Sequence, residues 1–363
     1  MSELETDLLV IGGGINGTGI ALDAQGRGLE TILCEANDLA SATSSASSKL
    51  VHGGLRYLEQ YEFKLVREAL KEREVLLAKA PHIIQPLTFV LPHAKHLRPA
   101  WMIRIGMFLY DHLAKLKSLK KSKKISLKNS AEGQPLQDQY KVGFTYSDCR
   151  IDDARMVVLN AIQAQEKGAK ILVNTKCVSA VRTNDGWHAV LENESGQVKI
   201  KCKAIVNAAG PWVAEVIHET LETDSKSHVK LIKGSHFVVP KLYEGTHAYI
   251  LQNKDNRIVF ALPYGFTDTE QNEFTVIGTT DVNYKGDPRS VKISDEEVDY
   301  LCELISEYFK KPIDKSTILW DWAGVRPLFD DDSVDPSKVT REYMFEVEDN
   351  DGKYPVLSIF GGK

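Results

Sequence analysis

Three glycines near the start of the chain have the spacing of a phosphate-binding turn. Gly12, Gly14 and Gly17 form the pattern G-x-G-x-x-G directly after an apolar run at residues 7–11. In such a motif the glycines permit a tight turn, close approach of the backbone to a pyrophosphate, and close packing of a helix on a strand. The phosphates then lie at a helix N-terminus, where unpaired N–H groups point outward. The spacing therefore predicts a dinucleotide site.

The elements around these glycines complete a βαβ unit. Residues 7–11 predict a buried strand, residues 15–28 a helix, and residues 31–35 a second apolar strand. Glu35 ends that strand about 20 residues after the motif, where an acidic residue binds a ribose hydroxyl. A carboxylate there disfavours a 2′-phosphate, so the ligand is expected to contain plain ADP. The motif does not separate NAD from FAD, and a purely structural glycine turn is the alternative.

A segment rich in hydroxyl and small side chains follows the second strand. Residues 41–50 contain Ser, Thr and Ala with one lysine, Lys49, and a turn of His52, Gly53 and Gly54 comes next. Small residues let the backbone approach a ligand, and hydroxyls can donate hydrogen bonds to its oxygens. A nicotinamide-binding domain would instead continue with another helix and strand. A flexible polar linker is the alternative, although apolar residues between 50 and 58 favour an ordered segment.

Composition and charge narrow the class of protein. The 363 residues are 43% hydrophobic and 26% charged, which is typical of a globular chain. A net charge of −5 does not favour nucleic acid as a partner. Five scattered cysteines without metal-ligand spacing fit a reducing cytosol, and the acidic N-terminus is unlike a secretory signal. Apolar stretches are too short to span a bilayer, so any membrane contact is expected to be peripheral.

Motifs along the whole chain resemble one enzyme family. They are IGGGINGTG, ATSSASSKLVHGGLRYLE, LRPAWMIRIGMFLYDHL, GFTYSDCRIDDARM, VNAAGPWV, LIKGSH, IGTTDVNYKGDP, GVRPLFDD and FGGK. In this order they are similar to the bacterial FAD-dependent, respiratory sn-glycerol-3-phosphate dehydrogenases. The resemblance implies an α/β (α+β) fold, in which a Rossmann-like FAD-binding domain of the glycine-oxidase/DAO type carries an inserted antiparallel β substrate domain.

The resemblance also implies an activity and partners. A member of this family oxidises sn-glycerol 3-phosphate to dihydroxyacetone phosphate and passes the electrons to a membrane quinone, ubiquinone or menaquinone. It binds peripherally to the cytoplasmic face of the cell membrane, through an anionic surface, and the full-length enzyme is expected to be a homodimer. No metal is implied.

The same resemblance assigns residues to FAD. Some surround the glycine motif, and those in the hydroxyl segment are expected to contact the nucleotide. Residues 52–54 are expected beneath the flavin ring, and residues near 178 and 210 against the dinucleotide. The expected FAD-binding residues are Gly12, Gly13, Gly14, Ile15, Asn16, Gly17, Glu35, Ala36, Thr43, Ser44, Ser45, Ser48, Lys49, His52, Gly53, Gly54, Val178, Ala209, Gly210 and Trp212.

Four cationic residues are expected at the substrate end of the site. A phosphate dianion is held best by fixed cations, and arginine binds it with two parallel hydrogen bonds. The family positions are Arg56 with Tyr57, Arg326, Arg341 and Lys363. For any single surface cation, a solvated charge or salt bridge is the ordinary alternative.

Oxidation of an alcohol requires a group that takes the hydroxyl proton and a hydride acceptor. His236, in KGSH between two predicted strands, is the candidate for the hydroxyl contact because histidine titrates near neutral pH. Arg326, expected in a GVRP turn, is the second candidate because a fixed charge can stabilise an alkoxide. Thr280 and Asp281 are expected at the substrate end of the site, where they could orient the flavin edge or His236. The residues leave the choice of base open, and a structural histidine is the alternative for His236.

The predicted organisation is a discontinuous FAD-binding domain formed by residues 1–80, 150–215 and 340–363. Residues 81–149 are expected to form a helical, membrane-facing segment, and residues 216–339 a substrate-binding antiparallel β domain. Insertion of one domain into another creates a cleft, where ligands usually bind. In the family the pattern continues beyond FGGK into a C-terminal helical domain, which is expected to be absent from this chain.

Seven lysines and no acidic residue occur at residues 115–128, directly after a predicted amphipathic helix at 98–116. A solvated basic loop and a surface that binds anionic lipid both fit this pattern.

Two other functions stay open, an oxygen-using glycerol-phosphate oxidase of the same fold and a catalytically incompetent FAD-binding fragment. A nicotinamide-dependent dehydrogenase is disfavoured by the segment at 41–58.

Overall fold

The computed structural model describes residues 3–114, 117–223, 225, 227–266, 272–329 and 343–362, and all statements below refer to these residues. Helices are fewer than strands among the described residues. They are α1 (Ile15–Gly26), α2 (Phe63–Lys79), α3 (Ala100–Leu113), α4 (Asp153–Glu166), α5 (Val213–Glu215) and α6 (Asp295–Tyr308).

Most of the chain forms β-strands. They are β1 (Leu4–Ile11), β2 (Thr31–Cys34), β3 (Leu50–Val51), β4 (Ile84–Pro92), β5 (Lys123–Ser126), β6 (Val142–Ile151), β7 (Lys170–Leu172), β8 (Lys176–Thr183), β9 (Gly186–Asn193), β10 (Gly196–Asn207), β11 (Val229–Pro240), β12 (Ala248–Gln252), β13 (Ile258–Phe266), β14 (Asn272–Gly278), β15 (Val282–Asn283), β16 (Trp320–Phe329), β17 (Met344–Asn350) and β18 (Lys353–Phe360).

The first sheet has the order β17-β18-β10-β1-β2-β7, with β8 and β9 joined to β10. Strands β18, β10, β1, β2 and β7 are parallel neighbours. Leu9 and Val10 of β1 are fully buried on opposite faces, which explains the continuous apolar run, since parallel strands are covered on both sides. Ala21 and Ala24 of α1 pack with Ala164 of α4 over one face. The predicted βαβ unit is thus present.

The second sheet has the order β15-β11-β14-β13-β12-β4-β6-β3, with β16 on β11 and β5 on β6. It is antiparallel except where β12 pairs with β4. Helix α6 covers one face by packing Leu301 and Ile305 against Phe237 and Leu251. Ser294 and Glu297 form the capping box predicted at its N-terminus.

Residues 81–149 are not mainly helical. Beside α3 they contribute β4, β5 and β6 to the second sheet, and β4 and β6 pair over nine residues on each side. The apolar residues of β4, such as Phe89 and Val90, are fully buried because both faces of this strand are covered. The segment therefore belongs to the same layer as residues 216–329.

The predicted GVRP turn is part of a strand, and KGSH lies within one strand rather than between two. Gly324 to Pro327 lie inside β16, which pairs with β11 from Val229 to Val238, and KGSH lies inside β11 itself. Pro327 is tolerated because β16 is bonded on one side only among the described strands, and a proline is accommodated at a sheet edge. Arg326 and His236 consequently project from neighbouring strands.

Candidate active site

A cleft of about 1540 Å³ lies between the two sheets. One wall is formed at the carboxyl ends of β1 and β2, where Ile11 and Cys34 lie, and another by β16. Ligands of open parallel sheets bind at this end of the strands. The volume exceeds that of an ordinary small-molecule pocket, about 300–1,000 Å³, and suits a dinucleotide together with a substrate.

The glycine turn forms the floor of the cleft. Gly12 has φ +115°, and a Cβ there would lie 2.5 Å from the carbonyl oxygen of Ala208. A Cβ on Gly17 would overlap the carbonyl oxygen of Gly12, so α1 starts directly against the turn. Glu35 accepts hydrogen bonds from the backbone N–H groups of Gly13 at 2.6 Å and Asn37 at 2.8 Å. The acid therefore lies at the turn itself.

The hydroxyl segment is tied to both sheets. Thr43 donates to the carbonyl of Val325 at 2.6 Å, and Ser44 accepts from the N–H of Ile15 at 3.0 Å. Lys49 pairs with Asp153 at 2.8 Å and donates to the carbonyl of Ser45 at 3.0 Å. These contacts describe an ordered segment rather than a flexible linker. The charge of Lys49 is balanced by Asp153.

His236 stands directly behind the cleft wall. It is 2% exposed, its Nε2 lies 2.8 Å from Ser48 Oγ, and its ring stacks on Trp322 at 5.2 Å. Ser48 and Trp322 both line the cleft, whereas His236 itself does not. A proton on the His236 imidazole can pass to the cleft through the Ser48 hydroxyl. It can also pass directly once the Ser48 side chain has changed its rotamer.

Arg326 is held beside the same wall. Its guanidinium pairs with Asp281 at 2.6 Å and donates to the carbonyl of Thr280 at 3.1 Å. Its neighbours Val325 and Pro327 line the cleft. The Thr280 side chain is 1% exposed, and its hydroxyl donates to Glu297 at 2.7 Å. The structure thus places this hydroxyl behind the site, because Glu297 supplies a buried acceptor.

Five predicted residues lie apart from the described cleft. His52, Gly53, Gly54, Arg56 and Tyr57 precede or belong to the short 3₁₀ helix Leu55–Gln60 and do not line it. A buried network anchors this turn, since the N–H of Gly53 donates to the Tyr110 hydroxyl at 3.0 Å and to Asp148 at 3.1 Å.

The remaining predicted residues divide into three groups. Ala36, Gly14, Ile15, Asn16, Ser45, Ala209, Gly210 and Trp212 line the cleft. Gly13, Gly17 and Val178 lie behind lining residues, Val178 directly after Cys177 at an irregularity of β8. Arg341 and Lys363 lie outside the described residues.

The wall residues fit a bound flavin dinucleotide. The indole N–H of Trp212 is buried without a partner among the described residues, although its ring lines the cleft. A buried donor without a partner costs about 1–3 kcal/mol, so a ligand acceptor is expected there. The glycine turn supplies the matching cradle, since Cβ atoms at Gly12 and Gly17 would collide with the backbone and force the turn open.

Several features of the cleft carry no signal in the sequence. Arg289 donates to both carboxylate oxygens of Glu215, at 2.6 and 2.8 Å, and both residues line the cleft. Trp322 and Asp153 also line the cleft and were not predicted from the sequence. Glu215 and Arg289 are 74 positions apart, and Lys49 and Asp153 are 104, so local spacing cannot reveal them.

The thiols at the cleft are expected to stay neutral. Burial raises the pKa of Cys177 to about 12, and burial also raises the pKa of Cys34 well above its usual range. Neither is therefore a nucleophile near neutral pH. Among the described residues, no group of three or more His, Cys, Asp or Glu side chains is arranged to hold a metal ion.

A parallel sheet with a glycine turn, opening onto a large cleft beside an antiparallel sheet, is typical of dinucleotide-binding proteins. The sequence model described as FAD dependent oxidoreductase matches residues 7–348, so the chain belongs to that family. Its cofactor is FAD, and the predicted fold class is confirmed.

Comparison with similar proteins identifies a narrower group within this oxidoreductase family. The chain is 57% identical over 358 residues to a Pseudomonas aeruginosa glycerol-3-phosphate dehydrogenase, covering 98% of this chain and 68% of that protein. It is 52% identical to a Brucella abortus D-erythritol 1-phosphate dehydrogenase, covering 100% of this chain and 72% of that protein. The Bacillus halodurans glycerol-3-phosphate dehydrogenase, solved with FAD, superimposes with a TM-score of 0.75 at 31% identity, covering 100% of this chain and 62% of that one. The resemblance stated from the motifs is confirmed.

Proposed function

We propose that the chain catalyses FAD-dependent oxidation of sn-glycerol 3-phosphate to dihydroxyacetone phosphate and passes the electrons to a membrane quinone. The observation that carries the proposal is the 57% identity, over nearly the whole chain, to a glycerol-3-phosphate dehydrogenase. The cleft supports it, because a fixed cation and a histidine lie on adjacent strands of one wall.

The residues on β11 and β16 have distinct roles in this proposal. When bound, FAD accepts the hydride from the substrate carbon. Arg326, held by Asp281, attracts the anionic substrate and stabilises negative charge on its alcohol oxygen. His236 takes the hydroxyl proton at Nε2, the nitrogen that contacts Ser48. Trp322 holds the imidazole plane by stacking.

The first test is the visible spectrum of the purified chain with FAD, before and after anaerobic addition of sn-glycerol 3-phosphate. Bleaching of the flavin band is expected. A retained flavin that does not bleach contradicts the proposal. Peroxide formed during aerobic turnover, with no transfer to a quinone analogue, would instead identify an oxygen-using oxidase.

Replacing Arg326 with methionine should slow flavin reduction by about 100-fold, since a fixed charge at the reacting oxygen is lost. Stopped-flow absorbance under anaerobic conditions measures this rate. Arg257→Met is the matched control, because Arg257 pairs with Asp255 away from the cleft. Equal rates in the two variants would remove Arg326 from the mechanism.

A longer polyol phosphate is the second candidate substrate. The D-erythritol 1-phosphate dehydrogenase is 52% identical over the entire chain, so a four-carbon substrate is also supported. Comparing kcat/KM for sn-glycerol 3-phosphate and for erythritol phosphate decides between them, and a higher value for the four-carbon compound would reassign the substrate.

We also propose that α3 and the lysine run bind an anionic membrane surface on the cytoplasmic side. Trp101 is 63% exposed, and Ile105, Phe108 and Leu109 are also exposed on α3. Ser122 of the run is bound to Asp111 and Arg104 of this helix, which keeps the cations beside the apolar face. The described lysines of the run are all exposed, namely Lys117, Lys120, Lys121, Lys123, Lys124 and Lys128. No helix among the described residues is long and apolar enough to cross a bilayer.

Exchanging four lysines of the run for glutamine should weaken binding to phosphatidylglycerol vesicles at low salt. Each lysine contributes about 1 kcal/mol near an anionic surface, so the affinity should fall by at least about 100-fold. Cosedimentation measures the affinity for the variant at Lys120, Lys121, Lys123 and Lys124. The control changes Lys167, Lys170, Lys199 and Lys353, which are exposed on the first-sheet side. Equal loss in both variants would mean a general charge effect.

A further inference from the structure

A buried carboxylate lies behind the wall that carries Arg326 and His236. Glu297 is 5% exposed and does not line the cleft. Its Oε1 accepts hydrogen bonds from the hydroxyls of Ser235 at 2.9 Å and Thr280 at 2.7 Å. Its Oε2 lies 2.7 Å from the Lys233 ammonium and accepts from the N–H of Ser294 at 2.9 Å.

These four contacts exceed what the helix end requires. A capping box needs only the reciprocal bonds between Ser294 and Glu297, and both are present. The other three partners belong to strand β11 and to the turn after β14. One carboxylate therefore joins the N-terminus of α6 to two parts of the second sheet, strand β11 and the turn after β14.

Two of the additional contacts, those with Ser235 and Thr280, lead to groups of the proposed site. Ser235 directly precedes His236 on β11, and its N–H donates to the Thr280 hydroxyl at 3.0 Å. The Thr280 carbonyl accepts from Arg326. The backbone of β11 also packs tightly on this arginine, since a Cβ on Gly234 would lie 2.8 Å from its guanidinium.

The carboxylate is charged in this setting. Burial alone would raise the pKa of Glu297, but the hydrogen bonds from Lys233, Thr280, Ser294 and Ser235 outweigh burial and lower it. Lys233 supplies the balancing charge and also donates to the carbonyl of Lys292 at 3.2 Å. A charged acceptor with four donors is more rigid than a neutral one, because charge-assisted hydrogen bonds are shorter and stronger.

We propose that Glu297 is a positioning residue that fixes Arg326 through Thr280 and His236 through Ser235. The proposal rests on the roles given to Arg326 and His236 in the proposed function. Glu297 does not line the cleft, so we expect its effect to be carried by the geometry of these two side chains.

The test compares Glu297→Gln with Ser294→Ala and Glu303→Gln. Ser294→Ala removes only the cap, and Glu303 is an exposed carboxylate on the same helix. Glu297→Gln should retain FAD yet reduce it about 100-fold more slowly, as expected for a misplacement of about 1 Å at a reacting centre. Ser294→Ala should lower the melting temperature while the reduction rate stays within about twofold of wild type. A wild-type reduction rate in Glu297→Gln would overturn the proposal.

A double variant separates positioning from folding. Glu297→Gln leaves Lys233 without its counter-charge, so Lys233→Met/Glu297→Gln is expected to recover the melting temperature. It should not recover the rate of flavin reduction. Full recovery of that rate would show that the carboxylate only supports the fold, and would overturn the proposal.

A readout without substrate distinguishes this proposal from the proposed function. Trp322 stacks on His236, and its emission is obtained by difference from Trp322→Phe. Glu297→Gln should change this emission, whereas Glu303→Gln should not. If wild-type flavin is not reduced by sn-glycerol 3-phosphate, the proposed function fails, while an unchanged Trp322 emission in Glu297→Gln would refute positioning.

Discussion

Replacing Gly17 with alanine should abolish FAD retention. A Cβ at this position would overlap the carbonyl oxygen of Gly12, so α1 must move away from the turn that cradles the pyrophosphate. Gly12 cannot retreat, because its own space is limited by Ala208. Overpacking of this kind costs about 1–3 kcal/mol and sometimes more. The measurements are the ratio of flavin to protein absorbance after gel filtration and the free energy of unfolding in urea.

Gly19 is the matched control two residues along the same helix. A Cβ there would have no neighbour nearer than 4.0 Å, the amide nitrogen of Asn160. Alanine is favoured over glycine in a helix interior by about 1 kcal/mol, so Gly19→Ala should bind FAD normally and be slightly more stable. Normal FAD retention in Gly17→Ala would show that the turn is not constrained in the way described.

Replacing Asp148 with asparagine should destabilise the fold by about 3–5 kcal/mol, the usual cost of removing one partner of a buried ion pair. Arg73 has no exposed surface and pairs with Asp148. Burial alone would lower the pKa of Arg73, but the Asp148 carboxylate outweighs burial and raises it. Two other guanidinium nitrogens, Nε and Nη2, already lack partners among the described residues. Urea unfolding followed by circular dichroism measures the change.

Loss of the Asp148 carboxylate should also destabilise the glycine turn at residues 52–54. The Tyr110 hydroxyl donates to Asp148 at 2.8 Å, and the N–H of Gly53 contacts both. Burial raises the pKa of Tyr110 well above its usual range, so this phenol remains a donor throughout the physiological range.

Asp23→Asn is the control for Asp148→Asn. Asp23 pairs with Arg27 at the exposed end of α1, where solvent screens the pair and its removal should change stability little. A second variant, Arg73→Met/Asp148→Leu, removes both charges and should recover most of the lost stability, since an apolar replacement of a buried pair is often neutral. A small effect of Asp148→Asn, equal to that of Asp23→Asn, would contradict the assigned role.

Local patterns predicted the parts of this protein whose physics is local. The glycine turn, its flanking strands and Glu35 lie within residues 4–35, and each constraint acts between near neighbours. The capping box of α6 is likewise defined by positions three apart.

Other predictions failed where neighbours from distant sequence override local preference. GVRP looks like a turn because of its glycine and proline, yet Gly324 faces Gly234 in a continuous pairing of β16 with β11. Residues 81–149 look helical and basic, yet their strands pair with β12, with β3 and with one another. Backbone hydrogen bonds to a neighbouring strand decide such cases, and a sequence window does not contain that neighbour.

The sequence by itself determined a dinucleotide site and, through its motifs, a family, because close backbone approach demands glycine at fixed spacing. Only the tertiary structure decided which charges face one another. Arg326 meets Asp281 from 45 positions away, Ser48 meets His236 from 188, and Glu297 gathers Ser235 and Thr280 from 62 and 17. These side chains are brought together by the packing of the two sheets, and the interaction energy of a charged group depends on what lies within a few ångströms rather than on its neighbours in sequence.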